Sequence, residues 1–217
     1  MFIGHIAVGF AAKRAAPRAS LAWLMAAPIL LDLLWPIFVL LGWEHFRIEP
    51  GNTKFTPLAF DSYPWSHSLA MSAVWATLMA GLYYALKKER AGAVAIWLGV
   101  VSHWVLDFAA HGPDMPLYPG GPVFGLGLWN HVAATMIVEF AMLAGAVWIY
   151  SQETKARDGI GRWVFWGFVG FMVLAYLGNV SSPPPPSPQA IAYVGVATWL
   201  FVPWAGWFDR HRSGRGV

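Results

Sequence analysis

Three potential metal ligands lie at regular helical spacing within one apolar segment of the chain. His103, Asp107 and His111 occupy positions i, i+4 and i+8 of the segment SHWVLDFAAHGPD. On an α-helix these positions lie one above another along a single face. Ionisable side chains in a membrane helix usually face a bundle interior, a cavity or a partner. Two imidazoles flanking a carboxylate in this way indicate a bound divalent cation.

Other ligand-type side chains occur in the first half of the chain, in apolar segments or at predicted helix ends. Together with the helical triplet they predict a metal-binding set of His5, Asp32, His67, His103, Asp107 and His111. The sequence has no cysteine, so thiolate-rich structural zinc is excluded. Imidazole and carboxylate donors favour Zn²⁺, with Mn²⁺ or Fe²⁺ as alternatives.

The number of candidate ligands exceeds the four that a tetrahedral ion requires. We therefore expect one or two ions, with Asp107 as the bridging carboxylate in the two-ion case. Two ions about 3.5–4 Å apart suit hydrolysis of phosphate esters, because they hold both the attacking and the leaving oxygen. Asp32 and Glu139 are candidate general bases, and His111 or Asp114 is a candidate to assist the leaving group.

Several of these side chains also have an interpretation without a metal. His103 and Asp107 could hydrogen-bond to each other and brace two helices. His67 could form part of a helix amino-terminal cap with Ser66. A lone buried histidine such as His5 is more often a satisfied packing residue than a ligand.

Two further positions keep similar alternatives open. His111 lies beside a glycine and a proline at a helix end, where a capping or solvated histidine is also expected. Glu139 lies eight residues after His131 on nearly the same helix face and could be its partner.

The composition predicts an integral membrane protein. Of the 217 residues, 58% are hydrophobic and 12% are charged, whereas soluble domains have about a quarter charged residues. The length suits one membrane domain covering residues 1–217. The net charge of +3 reflects the excess of lysine and arginine expected in the cytoplasmic connections of a membrane protein, so it does not indicate a nucleic-acid partner. The predicted partner is the lipid bilayer. The oligomeric state stays open.

Hydrophobic segments predict an all-α polytopic membrane bundle. Six are long enough to cross a bilayer, which needs about 20 residues. They lie at roughly 19–42, 66–87, 91–111, 130–150, 162–180 and 189–208. Residues 2–14 are too few to span and predict a membrane-inserted half-helix. Pro203 predicts a kink in the last span.

Positive charges alternate between the two sides of the predicted bundle. One side carries the basic residues Lys13, Arg14, Arg18, Lys87, Lys88, Arg90, Lys155, Arg157, Arg162, Arg210 and Arg212. The opposite connections contain only Arg47 and Lys54, both in 43–65, and no lysine or arginine at 112–129 or 181–188. The positive-inside rule therefore predicts a multi-pass protein with its C-terminus in the cytoplasm. With this orientation, the buried ionisable residues all fall between the membrane midplane and the outer face.

These segments resemble the bacterial membrane-bound metal-dependent hydrolase family. The likeness rests on GHIAVG, LLDLLWP, WSHSL and SHWVLDFAAHGPD, and it covers roughly the first 130 residues. It implies a hydrolase of the bacterial cytoplasmic (inner) membrane. More remotely, the His-x-x-x-Asp pair is similar to the zinc-dependent phospholipase C and nuclease P1 group, an all-helical multi-metal phosphoesterase fold.

That remote likeness implies a ligand set of His67, His103 and Asp107, with Asp32 and His5 alongside. The group has a later His-x-x-x-Glu pair, which is missing here because His131 and Glu139 are eight residues apart. The absence of this pair favours a site for two ions over a site for three.

The leading hypothesis is a membrane-embedded metal-dependent hydrolase of a lipid or other phosphoester. Its substrate, small or lipid-like, would come from the extracytoplasmic side, and a metal-activated water would be the nucleophile. Two other classes stay open. One is a transporter of divalent cations or protons, which requires polar residues that continue to the cytoplasmic side. The other is a non-catalytic membrane subunit that holds haem between facing histidines such as His5 and His103.

Overall fold

The computed structural model describes residues 1–214, and these residues form mainly helices. The helices are α1 (Ile3–Ala15), α2 (Leu21–Leu40), α3 (Pro64–His67), α4 (Leu69–Lys87), α5 (Arg90–Ala110), α6 (Val132–Glu153), α7 (Phe165–Ser181), α8 (Pro188–Ala197) and α9 (Phe201–Arg210). A π-helical turn, Ile160–Val164, leads into α7, and a 3₁₀ turn, Thr198–Leu200, joins α8 to α9.

The connections contain three small antiparallel sheets of two strands each. They pair β1 (His45–Ile48) with β2 (Leu58–Ser62), β3 (Met115–Pro116) with β4 (Val123–Phe124), and β5 (Thr154–Ala156) with β6 (Arg212–Gly214). The β1–β2 hairpin is irregular between His45 and Phe46 and fills the connection between α2 and α3.

Six helical segments are long and apolar enough to cross a membrane, which confirms the predicted all-α membrane bundle. They are Leu21–Leu40, Leu69–Lys87, Arg90–Ala110, Val132–Glu153, Ile160–Ser181 and Pro188–Arg210. The last of them is not one regular helix. It changes to a 3₁₀ turn just before Pro203, whose missing N–H removes a hydrogen bond from the helical pattern.

Helix α1 is short but lies in the interior of the bundle. Its 13 residues extend about 20 Å, less than the roughly 30 Å of a bilayer core. It packs against α2, α5 and α6. At Gly9 a Cβ atom would lie only 2.9 Å from the sulfur of Met25, so glycine is what allows α1 and α2 to approach this closely. The buried position of α1 carries His5 into the centre of the protein.

The second span does not begin where the hydrophobic segment begins. Residues Pro64–His67 form the separate turn α3, because Ser68 adopts an extended conformation. The Ser68 hydroxyl accepts a hydrogen bond from Met71 N and so caps α4. His67 therefore lies on a short turn outside the long helix, and Ser68, not Ser66, is the helix cap.

A buried ion pair lies at the end of α1 opposite His5, so the expectation that all buried ionisable residues fall in one half of the membrane was wrong. The Lys13 ammonium donates to Asp209 Oδ2 at 3.0 Å and to the Ala19 carbonyl at 2.8 Å. Asp209 also accepts from Tyr150 OH and from the first amide of α2, Leu21 N, both at 2.8 Å. One carboxylate therefore joins α1, α2, α6 and α9.

We expect Asp209→Ala to destabilise the protein strongly. Removing one partner of a buried ion pair leaves the other charge uncompensated, which costs about 3–5 kcal/mol. Thermal unfolding in detergent measures the effect. The control is Asp61→Ala, which removes an exposed ion pair with Arg47 and should shift the midpoint little. Equal shifts in the two variants would contradict the proposed role of Asp209.

Candidate metal centre

The carboxylate of Asp107 is the centre of a cluster of four imidazoles. Its Oδ2 lies 3.0 Å from His103 Nε2 and 3.9 Å from the Nε2 atoms of both His67 and His111. Its Oδ1 lies 3.0 Å from His5 Nε2 and also contacts the Met1 nitrogen. The cluster thus brings together side chains from α1, α3, α5 and the turn after α5.

Asp32 of α2 completes the cluster. Its Oδ1 lies 3.5 Å from His67 Nε2 and 3.7 Å from His103 Nε2. The side chain of Asp32 is 44% exposed, whereas those of His67 and His103 are 5% and 0% exposed. Asp32 is therefore the group of this trio that is accessible from outside the cluster. All six residues predicted as metal ligands are brought together.

The orientation of His103 is set by the backbone of α2. Its Nδ1 lies 2.8 Å from the carbonyl oxygen of Pro28. A carbonyl can only accept, so Nδ1 must carry the hydrogen. In a neutral imidazole the other nitrogen then has the lone pair. The neutral ring would therefore present the Nε2 lone pair to an ion held with Asp32 and Asp107, whereas without an ion the 3.0 Å contact with Asp107 Oδ2 requires a hydrogen on Nε2.

The orientation of His67 is set by Ser66 and Glu44. Glu44 accepts from the backbone amides of Trp65 and Ser66 at 2.8 Å each and from Ser66 Oγ at 2.6 Å. Since the single hydroxyl hydrogen of Ser66 goes to this carboxylate, Ser66 Oγ is left to accept from His67 Nδ1, 2.7 Å away. The Nε2 of His67 then has the lone pair and faces the cluster.

The orientation of His111 is set by Asp114. His111 Nδ1 lies 3.0 Å from Asp114 Oδ1, and Tyr63 OH donates to the same oxygen at 3.1 Å. Burial, together with the charge of Asp114, raises the pKa of Tyr63 well above its usual value, so the hydroxyl keeps its hydrogen. Asp114 therefore holds the ring of His111 in place.

These restraints leave lone pairs facing one another. The Nε2 atoms of His67 and His103 are 3.2 Å apart, and each is a lone-pair donor once its Nδ1 is protonated. Metal-binding histidines usually have this arrangement, with the distal ring nitrogen hydrogen-bonded to a carboxylate, a carbonyl or water. A cation between the two nitrogens would relieve their mutual repulsion.

The distances fit a first-row divalent ion. Bonds of about 2.0–2.1 Å in a tetrahedral site place neighbouring donor atoms about 3.3–3.4 Å apart. The three distances among His67, His103 and Asp32 are 3.2, 3.5 and 3.7 Å. A second group of three, His5, His103 and Asp107, also has its donor atoms within 4.8 Å of one another. Because the two groups share the one lone pair of His103, they cannot both be complete at once.

Glu139 has a different position from the other predicted catalytic residues. Its Oε2 accepts hydrogen bonds from Phe2 N at 2.9 Å and Gly4 N at 3.0 Å, at the start of α1. A carboxylate at a helix amino terminus stabilises that end of the helix. Glu139 therefore positions the first turn of α1, which carries His5. His131, considered above as its partner, is exposed.

A cavity of about 160 Å³ opens onto the cluster. Asp32, His67, Asp107 and His111 line one part of it, and aromatic side chains line much of the rest, namely Phe2, Trp35, Phe55, Phe60 and Trp129. The rings of His111 and Trp129 are 4.1 Å apart between centroids. The arrangement is a polar site within an aromatic enclosure, with room for a small group such as a phosphoryl group.

Sequence analysis missed two parts of this site. Glu44 comes from the connection after α2, with no motif to join it to a histidine 23 positions later. The sequence predicts Ser66 as part of a helix cap and shows it next to His67, but does not predict that its hydroxyl hydrogen-bonds to the His67 ring. The adjacency of serine and histidine is the one local signal for this contact.

Comparisons of the chain with protein-family models, with curated proteins and with solved structures found no match. The resemblance to the membrane-bound hydrolase family therefore stays a prediction. What the protein does has to be inferred from the geometry of the cluster and its cavity.

We expect Ser66→Ala to weaken metal binding without removing a ligand. Loss of a hydrogen bond to a ligating histidine typically costs about 10–100-fold in metal affinity. Competition between the purified protein and a zinc-chelating dye measures this change.

The matched control is Ser102→Ala. Ser102 also directly precedes a histidine, His103, but its hydroxyl donates to the Gly99 carbonyl. We expect zinc affinity close to wild type in this variant. Equal losses in both variants would show that the Ser66 contact does not position His67 for binding.

Proposed function

We propose that the protein is a membrane-embedded metal-dependent hydrolase that acts on a phosphoester, including esters of lipids. The observation that supports it most is the convergence of oriented imidazole lone pairs and two carboxylates beside an accessible cavity. Imidazole and carboxylate donors without thiolates suit a catalytic Zn²⁺, Mn²⁺ or Fe²⁺. The charge pattern of the connections supports the bacterial cytoplasmic membrane, with the C-terminus in the cytoplasm and the cavity on the outer side.

A bound divalent ion would supply Lewis acidity and would lower the pKa of water toward neutrality. In the hydrolysis, the water oxygen forms a bond to phosphorus, the ester P–O bond breaks, and the leaving oxygen gains a proton. Asp32 is placed to accept the proton from water, because Oδ1 faces the histidines and Oδ2 is left for this role. His111, held by Asp114, lies at the same cavity; when its ring is protonated and does not ligate the ion, it would supply a proton to the leaving oxygen.

Transport through the bundle is less well supported. The polar groups at the two ends of α1, His5 and Lys13, are eight residues or about 12 Å apart. Between them α1 contributes the buried apolar residues Ile6 and Phe10. Phe10 packs against the rings of Tyr150, Phe165, Phe168 and Phe208. This apolar layer separates the outer cluster from the inner ion pair.

The test is metal content together with phosphoester hydrolysis in detergent. We expect wild type to hold one to two equivalents of zinc, manganese or iron and to release 4-nitrophenol from an alkyl 4-nitrophenyl phosphate. Asp107→Ala should lose both, because Asp107 contacts every imidazole of the cluster. Asp32→Asn should keep more metal than Asp107→Ala but lose hydrolysis.

His131→Ala is the control, since His131 is exposed, and we expect it to behave as wild type. A wild-type protein that stays free of metal after incubation with these ions would rule out the proposal. Full metal occupancy without hydrolysis of any phosphoester would leave a metal site but reject this reaction.

A further inference from the structure

An apolar groove lies between α7 and the α8–α9 segment. It encloses about 530 Å³, and its walls are formed mainly by Phe171 and Ala175 on one side and Ala197, Phe201 and Trp204 on the other. These residues belong to two of the six segments that can cross a membrane. A groove with apolar walls between two such segments is exposed to the hydrocarbon of the bilayer.

The groove adjoins the cavity over the cluster through a third, smaller cavity. Phe2, Thr198 and Phe201 line both the groove and a smaller cavity of about 140 Å³. Asp32 and Trp35, with Phe2, line both this smaller cavity and the one that opens onto the cluster. The three spaces therefore lie in a row from the lipid-facing side of the bundle to the cluster, with Phe2 lining all three, and we call this row the path.

The break in the last span shapes this path. Helix α8 packs tightly on α2, since a Cβ at Gly195 would lie 2.9 Å from the ring of Pro36. The 3₁₀ turn Thr198–Leu200 then changes the course of the chain before α9. Along α7, the groove runs from Phe171 to Asn179, which is eight residues or about 12 Å. This approaches half of a bilayer core of about 30 Å, the depth of one leaflet.

Two indole groups at the inner end of the path have no hydrogen-bond partner within residues 1–214. They are Trp35 Nε1 and Trp129 Nε1, and both atoms are buried. Trp35 as a whole is 8% exposed. A buried N–H without an acceptor is costly, so each is expected to meet an oxygen of something that enters the cavity. Both tryptophans line the cavity over the cluster.

We propose that the substrate is a membrane lipid phosphoester that enters sideways, with one hydrocarbon chain in the groove and its phosphoryl oxygens near the indole N–H groups. The inference rests on the proposed function for the reaction and deepens it by naming the substrate class. The groove supplies the apolar binding surface, the indoles supply donors for anionic oxygens, and the cluster supplies the metal ligands.

Matched esters test the chain-binding role. Methyl 4-nitrophenyl phosphate and dodecyl 4-nitrophenyl phosphate undergo the same reaction and differ only in the alkyl chain. We expect wild type to prefer the dodecyl ester. Ala197→Phe and, on the opposite wall, Ala175→Phe should raise KM for the dodecyl ester about tenfold, as expected if roughly two methylenes lose their burial. Hydrolysis of the methyl ester should not change.

The control is Ala141→Phe, the same substitution on an exposed position of α6 that does not line the groove. We expect wild-type kinetics with both esters and an unchanged metal content in all three variants, which also verifies that they fold. If the groove variants affect both esters equally, or neither, the groove does not hold the chain.

Binding of dodecylphosphonate, followed by native mass spectrometry, separates this inference from the proposed reaction. We expect one bound molecule on wild type and on Ala141→Phe, and none on either groove variant. Binding with this pattern but without hydrolysis of either ester would reject the reaction and retain the groove as a lipid site. Equal binding to wild type and both groove variants would overturn the inference, whatever the hydrolysis results.

Discussion

Hydrogen bonds to the Nδ1 atoms of three histidines determine what the interior of this bundle can bind. Each bond orients a ring and, in the neutral ring, leaves the lone pair on the Nε2 that faces the Asp107 cluster, where an ion could use it. The acceptors come from separate places: the Pro28 carbonyl inside α2, the Ser66 hydroxyl backed by Glu44, and Asp114 after α5. The outer connections are therefore part of the site, since without them the rings could rotate.

The bundle tolerates these polar groups because they are confined to two layers. One layer contains the cluster, and the other contains the pair of Lys13 and Asp209. Helix α1 joins the two layers and presents apolar residues between them. Its outer end is held by Glu139 and its inner end by Asp209. The helix that carries His5 is thus fixed at both ends by carboxylates from other helices.

Hydropathy and helical periodicity were sufficient to predict the spans and the shared face of His103 and Asp107, because both depend on local sequence. They also picked out all six clustered His and Asp residues, since ionisable residues are rare in such segments; that these residues bind a metal stays a prediction. The hydrogen bonds that link Glu44 to Ser66 and Ser66 to His67 could not be predicted, because they depend on how a loop folds over a short turn. The groove was also not predictable, since it arises from the packing of α7 against a broken helix. The family resemblance stays a prediction.

The contact between His103 and the carbonyl of Pro28 differs in kind from the other two restraints. Ser66 and Asp114 act through side chains, so a single codon change can remove either hydrogen bond. A main-chain carbonyl is present whatever residue occupies position 28, provided that α2 keeps its course. During evolutionary drift the orientations of His67 and His111 are therefore easier to lose than that of His103. Neutral variation in the support of this site should accordingly accumulate unevenly, with the orientation of His103 the most robust of the three.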